Sequence, residues 1–394
     1  MFKNYLLQII NTPAKISKIC GDYYDRSYAK YIQYISVRKK SSADICKRYP
    51  LSAAEKAAVD ALFKKNYGQK VTYKWHSFYA GHNGVFSADY IPLSLYYSEV
   101  EYFMNPNKAY IKVFEDKSII SLIARSVGIK TPRALLTGSR NCFYDENGNS
   151  IHIDGVTEFL KNAGEVFIKP SVDSCSGRGC KRYKIKDGVD VLSGESVQSI
   201  LKNAGSHFLI QNVLRNHKSI ADVYSKSLNT FRIITYQWKG KFYNTPVILR
   251  IGRNGSTVDN ACAGGIYIGV DSNGKFHEKA HSVKGEELTH HPDSGIVFND
   301  YSILPIKETI NSALKMHRML PMLGIVNWDF TIDEHGDPVL IEANIAGGGM
   351  WMVQIAHGIG LFQERTPEIL RWLKWIKSVP LNERQKYFCG NNFE

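Results

Sequence analysis

Residues 326–349, VNWDFTIDEHGDPVLIEANIAGGG, constrain the fold of this chain more than any other stretch. Period-2 alternation puts Val326, Trp328, Phe330 and Ile332 on one side of a first strand, and Val339, Ile341, Ala343 and Ile345 on the same side of a second. His335-Gly336, flanked by Glu334 and Asp337, reads as a two-residue turn between them. Pairing about that turn sets Asp329 opposite Glu342 and Asn327 opposite Asn344. Two carboxylates then face each other where Cβ atoms lie about 5 Å apart and like charges destabilise. Together with Asn344 they offer a set of hard oxygen donors suited to Mg²⁺ or Mn²⁺. The plainer alternative is a solvated polar face with both acids in water.

A second feature is VFIKPSVDSCSGRGC, residues 166–180. Lys169 ends a hydrophobic strand, where its ammonium can lie against a bound anion. Ser174, Ser176, Gly177 and Gly179 belong to the loop that follows, and small residues let backbone N–H groups approach phosphate oxygens. The spacing is not that of a G-x-x-x-x-G-K-[ST] phosphate loop. On its own the segment fits an ordinary β-hairpin loop equally well.

The chain has 394 residues, 44% hydrophobic and 22% charged, enough for a sizeable core in two or three domains. Its apolar runs are too short to span a bilayer. The opening MFKNYLLQIINTPAK is only faintly signal-like, because Gln8 interrupts its short apolar run, so the expected location is cytoplasmic. Seven cysteines, without CxxC or Cys/His ligand spacing, fit reduced thiols better than a disulfide framework or zinc site. Redox pairing of Cys175 with Cys180 is the minor alternative. A net charge of +13 calls for an anionic partner or is simply a solvated basic surface. Nucleic acid is not expected, since the basic residues are spread out and no recognised motif is present.

The first hundred residues read as mainly helical. Ser52 and Glu55 form a capping box, with lysines in the last turn and Gly68 as a stop. The tyrosines and tryptophans of this region suit core packing first and sugar stacking second. EDKSIISLIARSVGIKTPRALLTG reads as helix, turn and strand, with Gly128 ending the helix and Pro132 preceding the strand at 134–136. Then come a helix capped at Thr157 and stopped near Gly164, the strands EVFIKP and KRYKIK around the loop, and the strand HFLIQNVL. NTFRIITYQWKGKFYNTPVILRIG reads as two strands about Lys239-Gly240-Lys241. A helix over 306–320 leads into the opening hairpin, and a last helix takes Thr366 as N-cap and Pro367 in its first turn. Interleaved helices and antiparallel strands indicate an α+β chain of several subdomains.

The order of these parts (Lys117 in EDK, Lys169 in FIKP, a glycine-rich loop, IQNVL, an Arg-bearing β region and Asp-x₁₂-Glu-x-Asn) resembles the ATP-grasp superfamily, including the D-alanine–D-alanine ligases. SLNTFRIITY, LRIGRNGSTVDNACAGGI, HPDSG and NWDFTIDEHGDPVLIEAN look most like its sugar-transfer associated members of polysaccharide-biosynthesis loci. The resemblance implies an ATP-grasp fold behind a mainly helical N-terminal region. Its parts would be a helical, aromatic-rich region (1–112), a linking subdomain (113–155), a small ATP-binding subdomain (156–214) and a large subdomain carrying the metal site (215–394).

It further implies that Lys117 and Lys169 contact ATP phosphates, that the loop of Ser174, Ser176, Gly177 and Gly179 closes over the triphosphate, and that Gln211 accepts from the adenine amino group. The backbone of Asn212, Val213 and Leu214 would follow the adenine ring. Asp329, Glu342 and Asn344 would hold Mg²⁺, or alternatively Mn²⁺. The metal, rather than a protein cation, would then be what makes the opposed acids tolerable. Where D-alanine ligases carry Arg two residues before the metal Asp, this chain has Asn327. Arg232, Arg250 and Arg253 are therefore candidates to stabilise the transferring phosphoryl, or else surface arginines on sheet edges. The implied reaction is carboxylate–amine ligation through an acylphosphate. It would join an acidic sugar, nucleotide-sugar or glycan to an amino acid or amine, in peripheral association with membrane-bound glycan assembly machinery. Phosphorylation of a glycan hydroxyl and a non-catalytic glycan-binding role are the alternatives. His281, His290 and His291 have no ligand-like spacing with the acids.

Overall fold

The computed structural model describes residues 20–21, 23–172 and 179–393. Among them, the chain groups into two units. One holds the described residues up to Pro106, Gln237–Lys241 and those from Gly349 on; the other holds Asn107–Tyr236 and Phe242–Gly348.

Among the described residues fifteen strands form two sheets, with neighbouring strands antiparallel. The smaller sheet contains β1 (Ala134–Ser139), β2 (Cys142–Asp145), β3 (Ser150–Ile151), β4 (Gly164–Pro170), β5 (Lys181–Lys186), β6 (Val189–Asp190) and β7 (His207–Asn212), in the order β3-β2-β1-β7-β4-β5-β6. Val166 and Ile168 of β4 and Phe208 and Ile210 of β7 pack with the helices Ile153–Leu160 and Val197–Asn203. The alternation leaves Lys169 on the opposite face. Helix Ile153–Leu160 begins earlier than its sequence suggests, with His152 as N-cap. Thr157 lies inside it, its hydroxyl donating back to the Ile153 carbonyl instead of capping.

The larger sheet contains β8 (Thr230–Trp238), β9 (Lys241–Asn244), β10 (Val247–Ile251), β11 (Ile266–Val270), β12 (Phe276–Ser282), β13 (Glu287–Leu288), β14 (Ile325–Ile332) and β15 (Pro338–Asn344). Its order is β13-β12-β11-β10-β8-β14-β15, with β9 also on β8. The expected second run of this β region is thus two strands, divided at Thr245-Pro246, where proline has no N–H to give the ladder. One face of the sheet is apolar. Phe231, Ile233, Leu249, Ile268, Trp328 and Phe330 are fully buried there with Ile120 and Ala124 of helix Lys117–Ser126 and Met316 of helix Lys307–Met319. Each such side chain contributes on the order of 1.5–3 kcal/mol, and truncating Phe330 to Ala would cost roughly 3–5 kcal/mol. The other face is polar and carries the candidate site.

The β14–β15 hairpin has the expected residue pairs but not the expected turn. Asp333 N donates to the Asp337 carbonyl (2.9 Å), and Gly336 N donates to the Asp333 carbonyl (2.9 Å), so the loop is the three residues Glu334, His335 and Gly336. The Asp333 carboxylate accepts from the N–H groups of His335 and Asp337, and Gly336 takes φ +91°. A bulge between Asp329 and Phe330 then shifts the register by one residue, so Phe330 opposes Leu340 while Asp329 opposes Glu342. Consequently Leu340, Ala343 and Ile345 join the apolar core, whereas Ile341 is half-buried and Val339 opposes Thr331 on the other side.

The first unit is mainly helical. Its capping box forms as expected, Glu55 N donating to Ser52 Oγ and Ser52 N to Glu55 Oε2. Trp75, Tyr79, Tyr90 and Tyr96 are buried, so much of the aromatic content of this region is core. Its last long helix, Thr366–Ile376, takes Arg365 as N-cap, which makes Thr366 the first helical residue and not the cap.

Candidate active site on the polar face of the larger sheet

Asp329 lies between neighbours on both sides. In register, Arg232 of β8 flanks it on one side and Glu342 of β15 on the other. Arg250 on β10 is opposite Thr230, two residues before Arg232, so both guanidiniums rise from the same face. Arg232 Nε donates to Asp329 Oδ1 (2.6 Å) and Nη2 to Oδ2 (3.2 Å), while Arg250 Nη2 donates to Oδ2 (3.0 Å). Burial works to raise the Asp329 carboxyl, but the two guanidiniums override it and hold the group below the usual carboxylate range.

Glu342 is more open, its side chain 28% exposed against 1% for Asp329. Lys117, the first residue of its helix, places Nζ 3.5 Å from Glu342 Oε2. The helix start is fixed by the Asp116 cap and by Lys117 N donating to the Ser171 carbonyl (2.9 Å), just beyond Lys169. Lys169 is buried, and burial pulls its ammonium down to about 8; Glu342 opposes that shift and Lys117 adds to it.

The expectation that a protein cation is not what compensates the opposed acids is therefore corrected. Two arginines sit on Asp329 and Lys117 faces Glu342, because β8, β10 and the helix start deliver cations from parts of the chain distant in sequence. Asp259 belongs to the same cluster. Its Oδ2 accepts from Thr230 N (3.0 Å) and Thr230 Oγ1 (2.5 Å), and lies 3.5 Å from Arg250 Nε. Burial raises its carboxyl, against Arg250 and the Thr230 hydrogen bond. Arg232, Arg250, Lys117 and Lys169 thus meet Asp329, Glu342 and Asp259 in one cluster, in which cations are available to an anionic ligand.

Asn344 Nδ2 is 3.4 Å from Asp329 Oδ2 and 3.5 Å from Glu342 Oε1, which brings the two carboxylates and a carboxamide to one place. The donor set is entirely hard oxygen once the amide is turned, a chemistry that suits Mg²⁺, with Glu342 presenting an open side and Asp329 already engaged by Arg232 and Arg250.

Arg253 is not brought to the acids; it donates to the Gly264 carbonyl (2.8 Å) and to Glu286 Oε2 (2.5 Å). Gln211 is buried on β7 with Nε2 donating to the Pro132 carbonyl (3.3 Å), which leaves its oxygen as acceptor. The Asn212 N–H donates to the Arg133 carbonyl (3.2 Å), and Val213 and Leu214 continue half-buried beyond the strand. Gly179 has φ +74°, and a Cβ there would meet the Pro170 ring at 2.8 Å. Ser174, Ser176, Gly177 and Cys175 lie outside the described residues. His291 is buried against the Gly252 carbonyl (2.9 Å), away from the acids.

The family model described as sugar-transfer associated ATP-grasp matches residues 97–369. The chain belongs to that family. No curated protein matches it. Among solved structures, this ATP-grasp chain is similar to the D-Ala:D-Ser ligase VanG of Enterococcus faecalis (15% identity over 66% of this chain and 62% of that one, TM-score 0.37). It is also similar to an L-amino acid ligase of Bacillus licheniformis (12%, 66% and 48%, TM-score 0.37) and to the D-alanine–D-alanine ligase of Bacillus anthracis in complex with ATP (14%, 70% and 67%, TM-score 0.36). The chain thus spans about half to two-thirds of the length of these proteins. Among its described residues no helix is long and apolar enough to cross a membrane.

Two contributors were not legible in the sequence. Asp259, in a glycine-rich loop, carries no signal that it joins Arg250 and Thr230. Glu115, two residues before Lys117, accepts from the N–H groups of Ile345 (2.8 Å) and Ala346 (3.0 Å) and so fixes the chain leaving Asn344.

Proposed function

We propose that this ATP-grasp chain is an ATP-dependent carboxylate–amine ligase of polysaccharide biosynthesis that works through an acylphosphate. The observation that carries this reading is the convergence of Arg232, Arg250, Lys117 and Lys169 on the opposed pair Asp329 and Glu342. Lys117 and Lys169 bind the ATP phosphates, and Gln211 with the backbone of 212–214 receives the adenine. Arg232 and Arg250 hold Asp329 in place and face the charge that develops at the transferring phosphoryl, which suits a chain with Asn327 two residues before that acid. When bound through Asp329, Glu342 and Asn344, Mg²⁺ supplies further neutralisation of phosphate charge. The γ-phosphoryl passes to the acceptor carboxylate, with ADP leaving. The amine then attacks the acyl carbon, the acyl C–O bond to the phosphate breaks, and inorganic phosphate departs as the nitrogen gives up a proton, leaving the amide.

The acceptor in this reading is an acidic sugar, nucleotide-sugar or glycan carboxylate and the donor an amino acid or other amine, with the reaction on the cytoplasmic side beside membrane-bound assembly machinery. The +13 charge supports an acidic acceptor. A screen of ADP release with acidic sugars, each with and without amines and followed by mass spectrometry of the products, tests it. Amine-dependent ADP release with an amide product is expected. ADP release without amine dependence and with a phosphorylated sugar would make the chain a phosphotransferase instead.

A further inference from the structure

The helix over residues 23–36 lies in the first unit with its polar side inward. Arg26 anchors it: Nε donates to the Ser98 carbonyl (3.2 Å), Nη2 is 3.7 Å from Glu99 Oε1, and the guanidinium stands over the rings of Tyr102 and Phe103 (5.3 and 4.9 Å). Ala29, Gln33 and Ser36 follow on that half-buried side, at helical spacing from Arg26. The outward side holds Tyr24, Tyr28, Tyr31 and Ile35 as a central stripe, with Tyr23, Tyr34 and Ile32 beside it, each between 38% and 73% exposed. Tyr24 and Tyr28 stack with ring centroids 6.1 Å apart. A helix packed on its own protein ordinarily turns its aromatic side in; this one turns it out. Among the described residues, core packing therefore does not account for these rings.

The chemistry around the stripe says what covers it. Lys30, Arg38, Lys39 and Lys40 are exposed beside it, against Asp25 as the exposed acid of the helix itself. A second copy of the chain would bring these cations against each other, and five tyrosine hydroxyls would lose water without acceptors. A sugar is held in a concavity, and a single helix face about 20 Å long is convex. A membrane surface meets every term: it is broad, it takes tyrosine rings at the level of its headgroups with their hydroxyls still hydrated, and its anionic lipids attract the flanking lysines.

We infer that the 23–36 helix is a peripheral docking face for an anionic lipid surface, with the tyrosine stripe seated among headgroups. The proposal is independent of the ligase reading, because it uses no residue of the nucleotide site.

The test is co-flotation of the full chain with vesicles of equal parts phosphatidylglycerol and phosphatidylcholine, against vesicles of phosphatidylcholine alone. Binding to the first and not the second, weakened by salt, is expected. The triple variant Tyr24→Ser, Tyr28→Ser, Tyr31→Ser lowers the bound fraction by roughly tenfold or more at unchanged far-ultraviolet circular dichroism and melting temperature. The charge variant Lys30→Glu, Lys39→Glu, Lys40→Glu loses the preference for anionic vesicles. Equal binding to both vesicles, or a triple variant that floats like the parent, would overturn the proposal. So would a parent that is dimeric by sedimentation and becomes monomeric in the triple variant, since the face would then be a contact between copies.

Discussion

Arg232 and Asp329, 97 residues apart, are cross-strand neighbours joined by two hydrogen bonds, with Nε to Oδ1 at 2.6 Å, both side chains buried. Arg250 reaches the same carboxylate from the next strand. A buried carboxylate engaged in this way has a structural as well as a chemical role, and the two can be separated.

Asp329→Asn leaves two buried guanidiniums without their carboxylate. Breaking such a pair costs about 3 kcal/mol, which for a unit of this size lowers the melting temperature by roughly 6–12 °C. ATP turnover is lost as well. Adding Arg232→Gln to Asp329→Asn restores part of the stability but none of the turnover. Thermal melting and ADP release of the single and double variants check both halves.

Lys169 gives a pH signature. Its folded value of about 8 lies below the ordinary 10.5, so between those values the unfolded chain binds more protons and stability rises with pH. Below about 8 the buried ammonium is a fixed cost. A triphosphate favours the charged form, so ATP binding takes up a proton once the pH passes about 8, and affinity falls from there upward. Calorimetry in buffers of different ionisation enthalpy reads that uptake directly. Lys169→Arg, charged throughout, removes both the uptake and the pH dependence.

Gly348 has no room for a side chain: a Cβ there would overlap the amide of Asn327, and its carbonyl accepts from Arg232 Nη1. Gly348→Ala costs roughly 1–3 kcal/mol by overpacking, and shifts Arg232. Asn327→Ala in the same chain relieves most of that cost. A double-mutant cycle in urea shows the coupling; additive effects would place the two residues apart.

How the site could be seen in the sequence follows from the range of its contacts. Asp329 opposite Glu342 is local to one hairpin, and period-2 alternation reports it. The pairing is legible from a two-residue turn although the loop has three residues, because the bulge after Asp329 offsets the extra one. Neither shows in the alternation: Gly336 suits several turns, and nothing in Leu340-Ile341-Glu342 marks an extra residue. Arg232 beside Asp329 was not legible as a contact, because β8 meets β14 across a long stretch of chain and no local pattern says which strands adjoin. The same holds for Lys117 at Glu342 and for Asp259 at Thr230. Helix limits failed where a residue has two uses, as Thr157 does when its hydroxyl bonds back inside the helix. The outward tyrosines of 23–36 have the spacing of a core stripe, and only the position of Arg26 shows which way the helix faces.

Glu342 provides the most direct measurement. Its carboxylate is partly open but faces the buried Lys117, so Glu342→Gln costs roughly 1–3 kcal/mol of stability, less than the change at Asp329. Titration calorimetry of the parent chain with ATP, with and without Mg²⁺, is predicted to show binding at one site that Mg²⁺ strengthens. In Glu342→Gln, folded by circular dichroism, the strengthening by Mg²⁺ is predicted to be lost. A parent chain that binds no ATP, or a variant that keeps the full Mg²⁺ effect, would contradict the placement of the nucleotide and its metal on this face.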